Sequence, residues 1–203
     1  MDDPTATYYR DNAAGFFQET VDVDMAPLYD HFLPSVPVGG RILDAGCGSG
    51  RDALVFRDRG YRVTAFDASA ELAALATGHT GLPVFVLRFQ DLNWERRFDG
   101  IWACASLLHI SSAELADAMR RLANALKPTG ILYASFKYGQ GEREHNGRRF
   151  TDLDEQGLER LLTRVERLEE LDTWITADRR PGRTDERWLN TLLHASGDTW
   201  PGT

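Results

Sequence analysis

Apolar residues fall along this chain in two alternating patterns: short unbroken runs, and longer stretches with a three-to-four-residue repeat. The short runs at 41–45, 61–66, 83–88, 99–105 and 131–136 predict strands covered on both faces, which lose the polar alternation of half-exposed ones. Stretches 51–59, 69–77, 111–127 and 153–164 predict helices. Gly60 stops the first, Ser69 caps the second with Glu71 in its first turn, and Pro128 and Gly130 end the third. Upstream, 12–20 and 24–33 predict two short helices, the second with Asp24 as cap and Pro27 in the first turn. Near the end, 171–177 and 187–194 predict two strands joined by the turn-rich Asp178-Arg-Arg-Pro-Gly-Arg183.

Helices that link consecutive short strands imply a parallel sheet with helices on both faces, since parallel strands need crossovers. The expected fold is α/β: a doubly wound, mostly parallel, seven-stranded Rossmann-like sheet whose last strand, entered through a hairpin, is antiparallel. A single domain is expected over 1–203, with 1–38 as a helical lid and 39–203 as the core. About ten residues separate the third and fourth strands, so one crossover helix is expected to be missing. The stretch 137–152 reads as a polar loop.

Composition narrows the function classes. With 203 residues, 42% hydrophobic and 27% charged, the chain can bury one sizeable core. Its net charge of -8 would be repelled by a phosphate backbone, so nucleic acid is not an expected partner. Nine arginines nevertheless crowd between Arg143 and Arg183, either as solvated faces or as an anion-recognising lid. Cys47 and Cys104 form no Cys-x-x-Cys pair, which excludes a zinc ribbon and fits a reducing, cytoplasmic setting. The first thirty residues hold no apolar run of membrane-span or signal-peptide kind, and the five histidines are scattered, so neither membrane nor metal is expected.

The chemistry concentrates in Arg41-Ile-Leu-Asp-Ala-Gly-Cys-Gly-Ser-Gly50, which ends a strand, turns on three glycines and opens a helix. The spacing is Gly-x-Gly-x-Gly followed by Arg51, not the dinucleotide Gly-x-Gly-x-x-Gly. Asp44 beside the loop disfavours a pyrophosphate and favours a ligand with ammonium or sulfonium charge. Asp67, ending the second strand, suits ribose hydroxyls. A phosphate-cradling loop of Walker type is excluded, because neither Lys127 nor Lys137 follows such a turn. These features together point to an adenosine ligand that is cationic at its other end.

On these residues the chain resembles the class I S-adenosylmethionine-dependent methyltransferases, and within them the small tellurite-resistance-type enzymes. The resemblance runs over roughly 8–195 and implies S-adenosylmethionine as cofactor, S-adenosylhomocysteine as product, and methyl transfer to a small molecule. It implies that Asp44, Gly46, Cys47, Gly48, Gly50 and Arg51 line the methionine half. It gives Asp67 and Ala68 to the ribose, Asp91 and Leu92 to adenine, and Ala105 and Ser106 to the cofactor's amino end. Tyr8, in a segment that closes over the cofactor, is a further contact. A non-catalytic binding domain or a nicotinamide-dependent oxidoreductase are the rival readings, the latter opposed by Asp44 and Arg51.

The acceptor side is less marked. His109 follows the fourth strand and either caps the next helix or faces the acceptor as a proton-accepting group. Lys137 and Tyr138 follow the fifth strand, at the same edge of the sheet. Arg143, Arg148, Arg149 and Arg183 lie in late loops, and convergence of any two over the site would select an anionic acceptor. The stretch after strand four, Ala103-Cys-Ala-Ser-Leu-Leu-His109, lacks the Pro-Pro-aromatic pattern of nucleic-acid amino methylases. Oligomeric state is not readable.

Overall fold

The computed structural model describes residues 3–183 and 185–196. Helix α1 runs Pro4–Thr20, capped by the Asp3 carboxylate with proline in the first turn. It begins eight residues before the predicted 12–20, because Asp3-Pro4 is itself a start signal, and so Tyr8 and Tyr9 are helical. Helix α2 follows at Ala26–Phe32, with the Asp24 carboxylate accepting from the Ala26 amide.

The core then alternates. Strand β1 is Arg41–Ala45, α3 Arg51–Asp58, β2 Arg62–Asp67, α4 Ala70–Thr80 and β3 Val84–Val86. A 3-10 turn at Phe89–Asp91 stands where a crossover helix would be, as the short spacing implied. Next come β4 Phe98–Ala103, α5 Ser112–Ala125 and β5 Leu126–Lys137. The segment expected to be a polar loop holds a two-stranded ribbon, β6 Gly141–His145 paired antiparallel with β7 Arg148–Asp152. Helix α6 covers Glu155–Leu162, and β8 Leu168–Ala177 and β9 Arg187–Ala195 close the fold.

The main sheet has the order β3-β2-β1-β4-β5-β9-β8, with β1 to β5 parallel and β9 antiparallel to both neighbours. Strand order reverses between β1 and β4, and ligands of such sheets bind at that crevice, outside the carboxyl ends of the strands. Strand β5 begins directly after α5, earlier than Pro128 and Gly130 suggest. Leu126 pairs with Phe98, and a bulge then absorbs the irregular stretch. Strand β3 is three residues long, shorter than its apolar run, since 87–91 turn away as the edge is reached.

Both faces of the central strands β1, β4 and β5 are buried. On one, Leu43, Ile101 and Leu132 pack with Met119 and Leu122 of α5. On the other, Phe32, Phe56, Trp102 and Tyr133 form an aromatic cluster, with the last two rings stacked at 4.0 Å. Among the described residues no helix is long and apolar enough to cross a membrane.

Candidate functional site

The turn after β1 is pinned from beneath. Gly46 and Cys47 amides donate to the Phe66 carbonyl at 3.0 and 2.9 Å. The Asp67 carboxylate accepts from Gly48 N at 2.8 Å and Ser69 N at 2.9 Å. Gly46 (φ 75°) passes so close to Ser106 that a Cβ would stand 2.6 Å from the serine Cβ. Gly50 meets α4 instead, where a Cβ would lie 2.8 Å from Thr80 Cγ2. Its absent side chain therefore serves helix packing.

This loop forms one wall of a cavity of about 770 Å³, through Gly46, Cys47, Gly48 and Ser49. Phe16 of α1 lies over Gly48, 3.1 Å from where a Cβ would be, so α1 covers the loop. Beyond the loop stand Tyr9, Ala105, His109 and Lys137, then residues of β7 and of the β8–β9 turn. Ala105 sits at φ 52°, left-handed backbone that an alanine tolerates only under constraint; its amide donates to Ser135 Oγ at 2.8 Å.

The acids expected to share one pocket separate. Asp44 and Asp67 are buried together under the loop, while Asp91 is exposed and held by Arg88 at 2.9 and 3.0 Å. Burial, then the neighbouring Asp52, pushes the Asp44 carboxyl well above its ordinary value, and its Oδ2 has no partner. Burial also raises Asp67 against its backbone donors. Ala68 is exposed, and Leu92 is buried in the core. Ser106 donates to the Ala45 carbonyl at 2.7 Å and so braces the strand end. Cys47 and Cys104 are thiols raised by burial, unsuited to nucleophilic work.

An unpartnered buried carboxylate oxygen beneath a glycine cradle suits a ligand that carries positive charge, because a cation above the loop favours the ionised form. The residues present therefore fit S-adenosylmethionine, whose ammonium and sulfonium groups match that field. Arg51, expected beside the cofactor, pairs with Asp52 at 2.6 and 2.9 Å and with the Thr20 carbonyl at 3.3 Å. Asp52, absent from the sequence reading, also accepts from Tyr29 Oη and from Trp102 Nε1 at 2.8 Å. Although burial opposes ionisation, Arg51 and these donors hold its carboxyl below the usual range.

On the acceptor side His109 caps no helix. Its Nδ1 lies 2.7 Å from the Arg149 carbonyl, which only accepts, so that nitrogen carries the proton. Its Nε2 then accepts from the Tyr9 hydroxyl at 2.8 Å. Burial pushes the imidazole down to about 4 and the Tyr9 phenol up to about 12, so both are neutral at physiological pH. Tyr8, the predicted contact, lies edge-on to Tyr9; it is Tyr9, one residue on, that lines the cavity. The signal for it was faint, a second tyrosine a hundred residues from its partner.

A sign follows for stability. An unfolded histidine titrates near 6.5 and this one near 4, so between those values the unfolded chain binds more protons. His109 thus contributes fully above about pH 6.5, and the contribution fades as pH falls toward 4, by about 2–3 kcal/mol. Urea denaturation at pH 7 and pH 4.5 should show a larger drop for the native protein than for H109N.

Lys137 extends over the Trp188 ring at 4.3 Å and pairs with Asp178 and Glu186. Burial brings its amine down to about 8. Tyr138 is partly exposed and donates to Glu155 at 3.0 Å. Three of the four arginines named from sequence have a carboxylate: Arg143 beside Asp152 at 2.5 Å, Arg149 3.9 Å from Glu142, Arg183 3.9 Å from Glu186. Arg143 and Arg183 line the cavity, whereas the Arg149 carbonyl instead receives His109. Among the described residues no cluster is suited to a metal ion.

Comparison with known proteins agrees with this geometry. The sequence model of a methyltransferase domain matches residues 17–174. An uncharacterized methyltransferase of Staphylococcus carnosus is 29% identical over 139 residues, 65% of this chain and 67% of that protein. A malonyl-[acyl-carrier protein] O-methyltransferase of Enterobacter lignolyticus is 34% identical over 96 residues, 45% of this chain, which thereby spans only 37% of that relative. Among solved structures, Burkholderia thailandensis 1,6-didemethyltoxoflavin-N1-methyltransferase, crystallised with 1,6-didemethyltoxoflavin and S-adenosylhomocysteine, superposes with a TM-score of 0.72 at 25% identity. That match covers 94% of this chain and 85% of the other. With the glycine cradle, the sheet order and this match over most of its length, the chain belongs to the class I S-adenosylmethionine-dependent methyltransferases.

Proposed function

We propose that the chain methylates a small, anionic molecule by direct in-line transfer within the cavity between the β1 loop and the β6–β7 ribbon. One observation carries this: the loop of Gly46–Ser49 and the groups Tyr9, His109 and Lys137 face the same cavity of about 770 Å³. When bound, S-adenosylmethionine supplies an electrophilic methyl on a sulfonium. The chain's own part is then to hold the acceptor in line and exclude water, an effect that can supply about 7–11 kcal/mol.

Gly46, Gly48 and Ser49 would cradle the cofactor from below, with Asp44 supplying negative field and Ala105 its backbone. Helix α1 lays Phe16 over the loop. His109 acts through Tyr9: its only free nitrogen already accepts the tyrosine proton, so it orients a phenol toward the acceptor. Lys137, Arg143 and Arg183 line the wall but each already stands beside a carboxylate, so the anionic character of the acceptor rests on the cavity's remaining arginines. The subtype closest to this reading is the tellurite-resistance type, with its Asp-x-Gly-Cys-Gly-x-Gly-Arg loop. We place the enzyme in the cytosol, in keeping with its two free cysteines.

A thermal-shift panel tests the proposal. S-adenosylmethionine and S-adenosylhomocysteine should each raise the melting temperature, whereas NAD and ATP should not. Incubation with methyl-labelled cofactor and a metabolite extract should then transfer label to a small-molecule fraction. A protein that binds the cofactor and labels nothing across such extracts would be a binding domain, not an enzyme.

A further inference from the structure

The arginines that border the cavity are not equivalent. Arg51, Arg143, Arg179, Arg180 and Arg183 each stand beside a carboxylate, and Lys137 stands beside two. Their charge is spent inside the protein. Among the described residues lining the cavity, Arg148 and the exposed Arg187 have no carboxylate partner, and of these only Arg148 is half-buried.

Arg148 is also held as a recognition group would be. Its guanidinium lies 4.3 Å from the Tyr8 ring centroid and 5.3 Å from that of Phe150, so aromatic rings fix the plane of the fork. Its Nε is buried with no hydrogen-bond partner. The charge bears on Tyr9, lowering its phenol against burial, and on His109, lowering its imidazole further. A stacked guanidinium without a counterion, in a partly desolvated wall, is costly unless an anion arrives from outside. A guanidinium fork matches the two oxygens of one planar carboxylate, and the rings that line the same cavity, Tyr9, Phe150 and Trp188, suit a flat apolar body.

We propose that Arg148, set between the Tyr8 and Phe150 rings, is the specificity-determining residue of the acceptor site and receives the carboxylate of an aromatic acid. Resting on the methyltransferase reading above, this assigns the acceptor's charge to one of the four late arginines named from sequence, on the ribbon that reads from sequence as a loop. Tyr9, held by His109, also hydrogen-bonds the Arg148 side chain and so helps to set the guanidinium in the wall. Lys137 and its carboxylates line the same cavity.

The test uses the whole chain, with benzoate and 4-hydroxybenzoate as probes and benzamide as the uncharged match in shape. Binding is read by calorimetry, with and without saturating S-adenosylhomocysteine. The benzoates are expected to bind about tenfold or more tighter than benzamide, and R148Q to lose about that factor. R148Q should keep its affinity for S-adenosylhomocysteine, and R164Q, which removes an exposed arginine away from the cavity, should behave as native. Equal binding of benzoate and benzamide, no benzoate binding at all, or native benzoate affinity in R148Q would each overturn the assignment. Should R148Q fold poorly, the benzoate–benzamide pair on the native protein still decides. Failure to bind S-adenosylhomocysteine would instead strike the methyltransferase reading, leaving the cofactor-free titrations to judge Arg148.

Discussion

Replacing Asp52 with alanine is expected to cost about 3–5 kcal/mol, the usual penalty for breaking a buried ion pair by removing one partner. Asp52 is 5% exposed and receives two Arg51 nitrogens, the Tyr29 hydroxyl and the Trp102 indole. Without it, a guanidinium whose side chain is 17% exposed and two aromatic donors are left in an apolar cluster. The loss exceeds that of an ordinary surface pair because the carboxylate ties three elements, α2 through Tyr29, α3 through Arg51 and β4 through Trp102. A fall in melting temperature of about 6–20 °C should follow for a domain of this size. D52N keeps the shape and one acceptor, and should fall between the two. Equal urea midpoints for native protein and D52A would show that the network adds nothing.

The second large effect is expected at Gly46. Alanine there must adopt φ 75°, at about 1–2 kcal/mol, and must push Ser106 away from a 2.6 Å approach, at about 1–3 kcal/mol more. Ser106 has little room, since its hydroxyl is bonded to the Ala45 carbonyl. The loop itself is tied to Phe66 by two amides. G46A is therefore expected to lose about 2–5 kcal/mol of stability and its thermal shift with S-adenosylhomocysteine. Gly60 supplies the control. Its φ is 87° but nothing lies within 4 Å of a Cβ, so G60A should show the conformational cost alone and bind the cofactor normally. If G46A and G60A lose equally, close approach at the loop is not what Gly46 provides.

How far these residues could be read beforehand follows from the range of the signal. The glycine turn, the Ser69 cap and the Asp178–Arg183 hairpin are local, each carried by residues within a few positions of one another. The ribbon β6–β7 carried no such mark, because all five residues of β6 are exposed and give no buried stripe. The start of α1 was written in Asp3-Pro4 but gave way to the apolar spacing that begins later.

The candidate site divides the same way. Asp44, Gly46 and Gly48 were legible because a turn needing positive φ beside an acid is a local pattern. Asp91 kept the right place past the third strand, but its exposed side chain found Arg88 three residues away. Asp52 and Tyr9 were not legible, and Arg148 only as one late arginine among several, because what matters about them is which distant groups meet them.

The sequence by itself determined the order of strands and helices in the main sheet, the phosphate-averse glycine loop and the family, since periodicity, capping and spacing act over a few residues. Only the tertiary structure decided which charges are cancelled and which are left over. Arg143 and Arg183 look as available as Arg148 until folding brings Asp152 and Glu186 beside them. Burial and pairing are properties of neighbours in space, and a chain brings positions 9, 109 and 148 together only when the sheet and its ribbon have formed.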